Sequence, residues 1–357
     1  MTEYVPFPSD PAQEIVLPVE AVRDLVADIL ERKGMFRFEA EIAADRMIEA
    51  DMRGQHAHGC RMTHELVEAI DCGNIDPRAQ LVTEVDLPAA CLINAGEGVG
   101  QVAATRAMQT AIKKAKETGT GTVLLKKSRD FGSAATYVQL AVDAGMIGFC
   151  TTSTPGPSVA AYGSTAPATG DNSLAWGIPT RSGAPLILDL SCAGASWAEV
   201  KSRLLYGMPV PEGWVVGVEG NRTTDPGQAE VLLPAGGFHG FGLSLVCSVL
   251  AGPLAGGRMP SEKEQGFLTQ PVEHFFYAID IRQLVDFDRF LERVQQALDH
   301  IRALPPSDDV ERIVVPGEVE WERMERCKQE GLPLHKDTVR LLEDLAKRLK
   351  LTPAWNV

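Results

Sequence analysis

The 357-residue chain lacks several features, and each absence closes off a class of function. Basic residues are not in excess: 34 Lys and Arg against 48 Asp and Glu give a formal charge of −14 and a pI near 5.0. A protein of that sign repels polyanions, so neither nucleic acid nor an anionic membrane is expected as a partner. There is no C-x-x-C pair, and the seven cysteines, at positions 60, 72, 91, 150, 192, 247 and 327, are odd in number and unpatterned. Such a set fits buried, reduced thiols in a cytoplasmic protein. The opening Met-Thr-Glu-Tyr-Val-Pro-Phe has no basic region followed by an apolar run, so no secretory signal is expected. The longest apolar run, about Phe241 to Leu254, falls short of the roughly 20 residues that span a bilayer and meets Pro253 near its end. It reads as a buried helix. Internal repeats and low-complexity tracts are absent.

What is present is the material for two or three structural units, in a chain that is 45% hydrophobic. Val22, Leu25, Val26, Ile29 and Leu30 recur at helical spacing and Gly34 follows as a stop, which predicts an amphipathic helix. A second helix is expected from about Glu39 to Met52, ending near Gly54, and a third from about Cys60 to Asp71, ending at Gly73. Residues 1–75 therefore read as a helical unit. From Leu81 the period changes. Short apolar runs (Ala89 to Ile93, Thr122 to Lys126, Met146 to Thr152, Pro185 to Leu190) alternate with helical stretches (Gln101 to Glu117, Ser133 to Asp143) that stop at Gly119 and Gly145. The alternation predicts an α/β sheet flanked by helices across residues 76–283, with His274 to Asp280 as a further strand. Helices are expected from about Asp286 to Ala303 and from His335 to Lys350, in a mainly helical segment 284–357 that packs on the N-terminal unit. Residues 154–183, rich in Pro, Gly, Ser and Thr, read as a long loop that lines the pocket.

The stretch from Ala50 to Gly59, Ala-Asp-Met-Arg-Gly-Gln-His-Ala-His-Gly, ends a helix at a glycine and sets His58 just beyond it. An imidazole holds or releases a proton near neutrality, which suits His58 to general acid catalysis; a capping or surface histidine is the competing reading. The pattern resembles the start of the type-2 malate/L-lactate dehydrogenase family, usually Arg-Gly-x-Asp-Ser-His-Gly. The resemblance implies that His58 donates a proton to the substrate oxygen or nitrogen while NAD or NADP delivers hydride to the adjacent carbon.

Gly96-Glu-Gly-Val-Gly100 follows an apolar run and precedes a helix, but its third glycine comes one residue too early for the G-x-G-x-x-G dinucleotide fingerprint. The resembled family binds its nicotinamide cofactor on a fold of its own, so a non-Rossmann cofactor-binding sheet is implied, with a separate helical unit built from both chain ends. Further stretches carry the resemblance in order along the chain: Gly96-Glu-Gly-Val-Gly-Gln-Val-Ala, Pro211-Glu-Gly-Trp214 with Thr223-Thr-Asp-Pro226, His239-Gly-Phe-Gly-Leu243, and Pro316-Gly-Glu318. They imply cofactor contacts at Asp130, Phe131, Gly132, Ser133 and Ala134, at Asp189, Leu190 and Ser191, at His239, and at Gly317 and Glu318. A strand-to-helix turn and a sheet edge expose backbone N–H groups that can meet phosphate oxygens. From the residues alone, Asp189 reads more readily as a turn or helix-cap carboxylate than as a cofactor contact.

This chain departs from the family pattern where substrate would bind. Ala57 stands where the family has a relay serine, while Glu199, ten residues after the strand-end aspartate, matches its acidic partner. A carboxylate beside an imidazole raises its pKa and fixes its tautomer, so Glu199 is either a support for His58 or a solvated helix carboxylate. The arginine that clamps the substrate carboxylate aligns with Met62. Arg61 is one residue away, a helical rotation of about 100°, and is expected to point elsewhere. Asp171 replaces a neutral threonine, and Asp130 a histidine; these changes disfavour a plain 2-oxo acid anion. His56, His58 and His64 do not form a metal set, because alternate residues diverge and no further ligand completes four. The chain thus reads as an NAD(P)H-dependent reductase of a small 2-oxo or cyclic 2-imino acid, with a homodimer implied by the resemblance. The alternatives are a divergent enzyme of the same fold whose substrate lacks the usual carboxylate anchor, and a non-catalytic cofactor-binding homologue.

Overall fold

A computed structural model describes residues 7–264, 270–308 and 310–355. The chain opens with strand β1 (Glu14–Leu17) and helices α1 (Val19–Arg32), α2 (Arg37–Met52) and α3 (Met62–Asp71). Helix α1 buries the stripe Val22, Leu25, Val26, Ile29 and Leu30 against α2, whose Ala40, Ala43, Ala44 and Met47 let the two axes approach closely.

Next come β2 (Val82–Asp86), β3 (Ala90–Asn94), α4 (Gly100–Thr118), β4 (Thr120–Ser128), α5 (Ala135–Asp143) and β5 (Ile147–Ser153). They are followed by β6 (Val159–Ala160), β7 (Pro167–Thr169), β8 (Ser173–Ile178), β9 (Leu186–Ser191) and α6 (Trp197–Leu205). Three short strands, β10 (Val215–Val216), β11 (Arg222–Thr223) and β12 (Val231–Leu232), lead to α7 (Phe238–Leu250) and β13 (Val272–Ile279). The chain closes with α8 (Phe287–Arg302), α9 (Glu318–Glu330), β14 (Leu332–His335) and α10 (Lys336–Arg348). Strand β14 pairs antiparallel with β1, and Met324, Cys327, Leu332, Leu334, Val339, Leu342 and Leu345 enter the same core as α1 to α3.

The main sheet has the order β2-β3-β4-β13-β5-β8-β9. Only β3 and β4 run parallel; every other neighbouring pair is antiparallel. A doubly wound dinucleotide fold is parallel throughout its nucleotide-binding half, so this is a different α/β architecture. The helix–strand alternation predicts the layers correctly, but β13, over a hundred residues further on, wedges between β4 and β5. Its run Val-Glu-His-Phe-Phe-Tyr-Ala-Ile is buried along most of its length, as a central strand requires. Helices α4 and α5 pack on the sheet through alanines, and Gly121 of β4 lies so close to the Ala111 carbonyl that no Cβ fits.

Two expectations are corrected. Residues 154–183 are not one loop: they contain β6, β7 and β8, and β6 and β7 join a second sheet of order β11-β10-β12-β6-β7. The apolar run from Phe241 to Leu254 is not a buried helix. Helix α7 turns Gly240, Ser244, Cys247 and Ser248 inward, while Leu243, Val246 and Val249 are exposed. Its inner face is anchored by polarity: Asn172 donates to the Ser244 carbonyl (3.0 Å) and to Ser248 Oγ (2.8 Å), and Ser244 Oγ donates to the Gly170 carbonyl (2.7 Å).

Candidate active site

The site starts where α2 ends. Asp51, in its last turn, is fully buried; its carboxylate accepts from the Cys60 N–H (2.6 Å) and pairs with His56 Nδ1 (2.8 Å). Arg323 of α9 donates to His56 Nε2 at 3.0 Å, so Nε2 is the acceptor nitrogen and the proton sits on Nδ1, facing Asp51. A Cβ at Gly59 would overlap the Asp51 carboxyl group. The turn 55–60 is thus fastened at both ends to one carboxylate, and His58, half-buried, projects from it into open space.

That space is a pair of adjoining cavities of about 410 and 360 Å³ that share His58 in their walls. The first is also lined by Met62, Asp130, Phe131, Gly132 and Asp171, and the second by Ser133, Ala134, Asp189, Leu190, Ser191 and Glu199. The remaining residues implied by the resemblance lie outside both walls. His239 is exposed in the first turn of α7, close to Ala235, which lines the second cavity. Gly317 packs against the Ile187 backbone, and Glu318 accepts from Arg302 Nε (3.1 Å).

Burial raises both Asp130 and Asp171, and the nearby His58 charge pulls each back down in part. Glu199 is pushed up to about 7, mainly by burial, with Arg203 opposing. A carboxyl group with that value changes charge near neutrality. His274 goes the other way, down to about 3: burial keeps it neutral, its Nε2 donating to the Arg129 carbonyl (3.1 Å) and its Nδ1 paired with Thr152 Oγ1 (2.8 Å). Phe131 stacks on that ring with 4.5 Å between centroids, which stiffens the floor of the first cavity.

Arg61, the N-cap of α3, lines the first cavity beside Met62 and Glu65, and its guanidinium donates to Thr338 Oγ1 of α10 (3.3 Å). Arg53 is occupied, bonded to Glu49 (2.9 Å) and Gln139 (3.0 Å). Sequence reasoning also missed Lys201, Gln55 and Arg323. Gln55 donates to Asp189 at 3.0 Å, and Lys201 lies on the first cavity wall one turn along α6 from Trp197. His56 and His64 are engaged with protein partners, His64 near Glu68, and no metal-holding group of three His, Cys, Asp or Glu occurs among the described residues.

Residues 17–343 match the sequence profile of the malate/L-lactate dehydrogenase family. The chain belongs to that family. A malate dehydrogenase of Pyrococcus horikoshii is 32% identical over 351 residues, which cover 94% of this chain and 96% of that protein. An L-sulfolactate dehydrogenase of Methanocaldococcus jannaschii is 31% identical over 94% of this chain and 98% of that one. The solved structure of the Pyrococcus horikoshii malate dehydrogenase superposes with a TM-score of 0.88 at 29% identity, covering 99% of this chain and 100% of that one. This family member is therefore a nicotinamide-dependent oxidoreductase that moves hydride between cofactor and the carbonyl carbon of a small 2-oxo acid.

The second cavity suits the nicotinamide end of such a cofactor: its wall includes the small residues Ser133, Ala134, Ala193, Gly194 and Ala195 beside His58, with Gln55, Asp189 and Glu199 as polar groups. The start of α5 is less suited to phosphate than a free strand-to-helix turn would be. The Gly132 N–H already donates to Asp130 (2.8 Å) and the Ala135 N–H to Asp189 (3.1 Å), so carboxylates occupy the positions an anion would take.

Proposed function

We propose that His58 is the proton donor of this oxidoreductase, that Arg61 holds the substrate carboxylate in the first cavity, and that the nicotinamide lies in the second. The observation that carries the reading is the position of His58 in the wall shared by both cavities. The cofactor, NAD or NADP, supplies the hydride. In reduction, the C=O or C=N π bond opens: carbon gains the hydride, and oxygen or nitrogen gains the proton held on His58, while the cofactor is left oxidised. The phosphates fall to residues 235–239 at the start of α7, where helix polarity favours an anion. Asp189 is a positioning residue: it gathers Gln55, Ser133 and the start of α5 around the cavity. Met62 contributes apolar wall in place of a cation. Gly317 and Glu318 are assigned to holding α9, and with it Arg323, against β9.

The direct test is oxidation of NADH and NADPH with a panel of 2-oxo and cyclic 2-imino acids. Turnover of neither cofactor with any acid removes the reading. Glu199 is assigned as the acid that supplies a counter-charge to the protonated imidazole. Its carboxyl group is neutral below about pH 7 and anionic above, so the pH–rate profile should carry a limb near neutrality that Glu199→Gln abolishes. A superimposable profile would leave Glu199 without that role.

The homodimer is supported by α7, whose Leu243, Val246 and Val249 form an uncovered apolar face contiguous with exposed Phe238 and Leu254. Sedimentation should give a dimer at micromolar concentration, and Val246→Asp with Val249→Asp should shift it to monomer with loss of activity. A monomeric wild type would end this assignment.

A further inference from the structure

Resting on the reductase reading, we propose that the acid turned over here carries a positively charged nitrogen as well as its carboxylate, the carboxylate facing Arg61 and the nitrogen facing Asp130 and Asp171. The first cavity holds four carboxylates, Glu65, Asp130, Asp171 and Glu230, against two permanent cations, Arg61 and Lys201. An ordinary dicarboxylate would enter a surplus of its own sign, and like charges set together in a desolvated site repel.

Asp130 and Asp171 lie at one end of the main sheet, the first in the β4–α5 turn and the second just before β8, strands that β13 and β5 separate, and both line the cavity beside His58. Their hydrogen bonds come from the backbone: the Gly132 N–H reaches Asp130 Oδ1 at 2.8 Å and the Trp197 N–H reaches Asp171 Oδ2 at 3.1 Å. One backbone donor does not saturate a carboxylate, which offers about four lone-pair sites. Burial raises both groups, and the His58 charge lowers both, so each responds to a cation at that spot. Trp197 also lines this wall, and an indole face attracts an organic cation. The volume, about 410 Å³, exceeds what a three-carbon acid fills.

Two sources supply that chemistry. A guanidino-substituted 2-oxo acid puts the charge on its substituent, and a cyclic 2-iminium acid puts it at the reacting nitrogen. The test compares kcat/KM at pH 7 for these two, pyruvate and oxaloacetate, in wild type, Asp130→Asn and Asp171→Asn. At least one cationic acid should exceed pyruvate by about tenfold, the scale of one charge-assisted contact, and oxaloacetate by more. Whichever cationic acid leads identifies the source. Each Asn variant should lose about tenfold on that acid and gain on oxaloacetate, a gain that a misfolded variant does not show. Preference for pyruvate or oxaloacetate in wild type overturns the inference and leaves the reductase reading intact, as does a cationic preference unchanged in both variants. Turnover of none of the four, or of any other acid in the panel, overturns the reductase reading as well.

Discussion

His58→Ala should lower kcat by about 10²-fold or more while leaving the affinity for the nicotinamide cofactor nearly unchanged, because a positioned general acid contributes roughly 10²–10⁴-fold. The split follows from geometry. His58 belongs to the wall of both cavities, but the second wall retains Ser133, Ala134, Asp189, Ser191 and Ala193 to Ala195 when the imidazole is gone. His56 does not substitute for it. Its Nδ1 proton is committed to Asp51 and its Nε2 accepts from Arg323, so it has no proton to give without breaking the turn. Steady-state kinetics on an active substrate, with cofactor binding followed by fluorescence, decides the matter. Undiminished turnover would pass the proton to another titratable group of the site, Asp130 or Glu199.

The place of His58 just beyond α2 was legible because it sits in a short local pattern, and so were most helices and strands, whose periodicity is local too. What the sequence hides is position across the chain. The run His274 to Asp280 reads as a strand, but nothing in it says that it separates β4 from β5 and turns the sheet antiparallel. Arg323 lies more than 260 residues from His56, and no spacing rule connects them. Arg61 lines the first cavity and also donates to Thr338, more than 270 residues away, a pairing that no local spacing gives. The α7 run was misjudged because composition gives apolarity without facing. There the small and hydroxyl residues make the close contacts with the sheet, and the large ones are left outside. The raised Glu199 and the convergence of Asp130 with Asp171 arise from burial, which depends on all of these placements.

Gly59→Ala should be severe although it adds a single methyl group. Gly59 has φ −89° and ψ −155°, values open to any residue, so the backbone itself does not demand glycine. The contact does. An added Cβ falls on the carboxyl carbon and both oxygens of Asp51, a side chain with no exposed surface to swing into. Displacing that carboxylate unmakes its bonds to the Cys60 N–H and His56 Nδ1 together, and hydrogen bonds to a charged group are worth about 1.5–3 kcal/mol each. A loss of about 3 kcal/mol is the expected scale, with kcat reduced as well because His58 is the preceding residue. The cause can be isolated with a double-mutant cycle. In an Asp51→Ala background the new methyl group meets no carboxylate, so adding Gly59→Ala should cost less than about 1 kcal/mol, leaving a coupling of about 2 kcal/mol between the two positions. Urea unfolding of the four proteins measures that coupling. An equal penalty in both backgrounds would mean that Gly59 is required for some reason other than Asp51, and that the carboxylate is not what holds the catalytic turn in place.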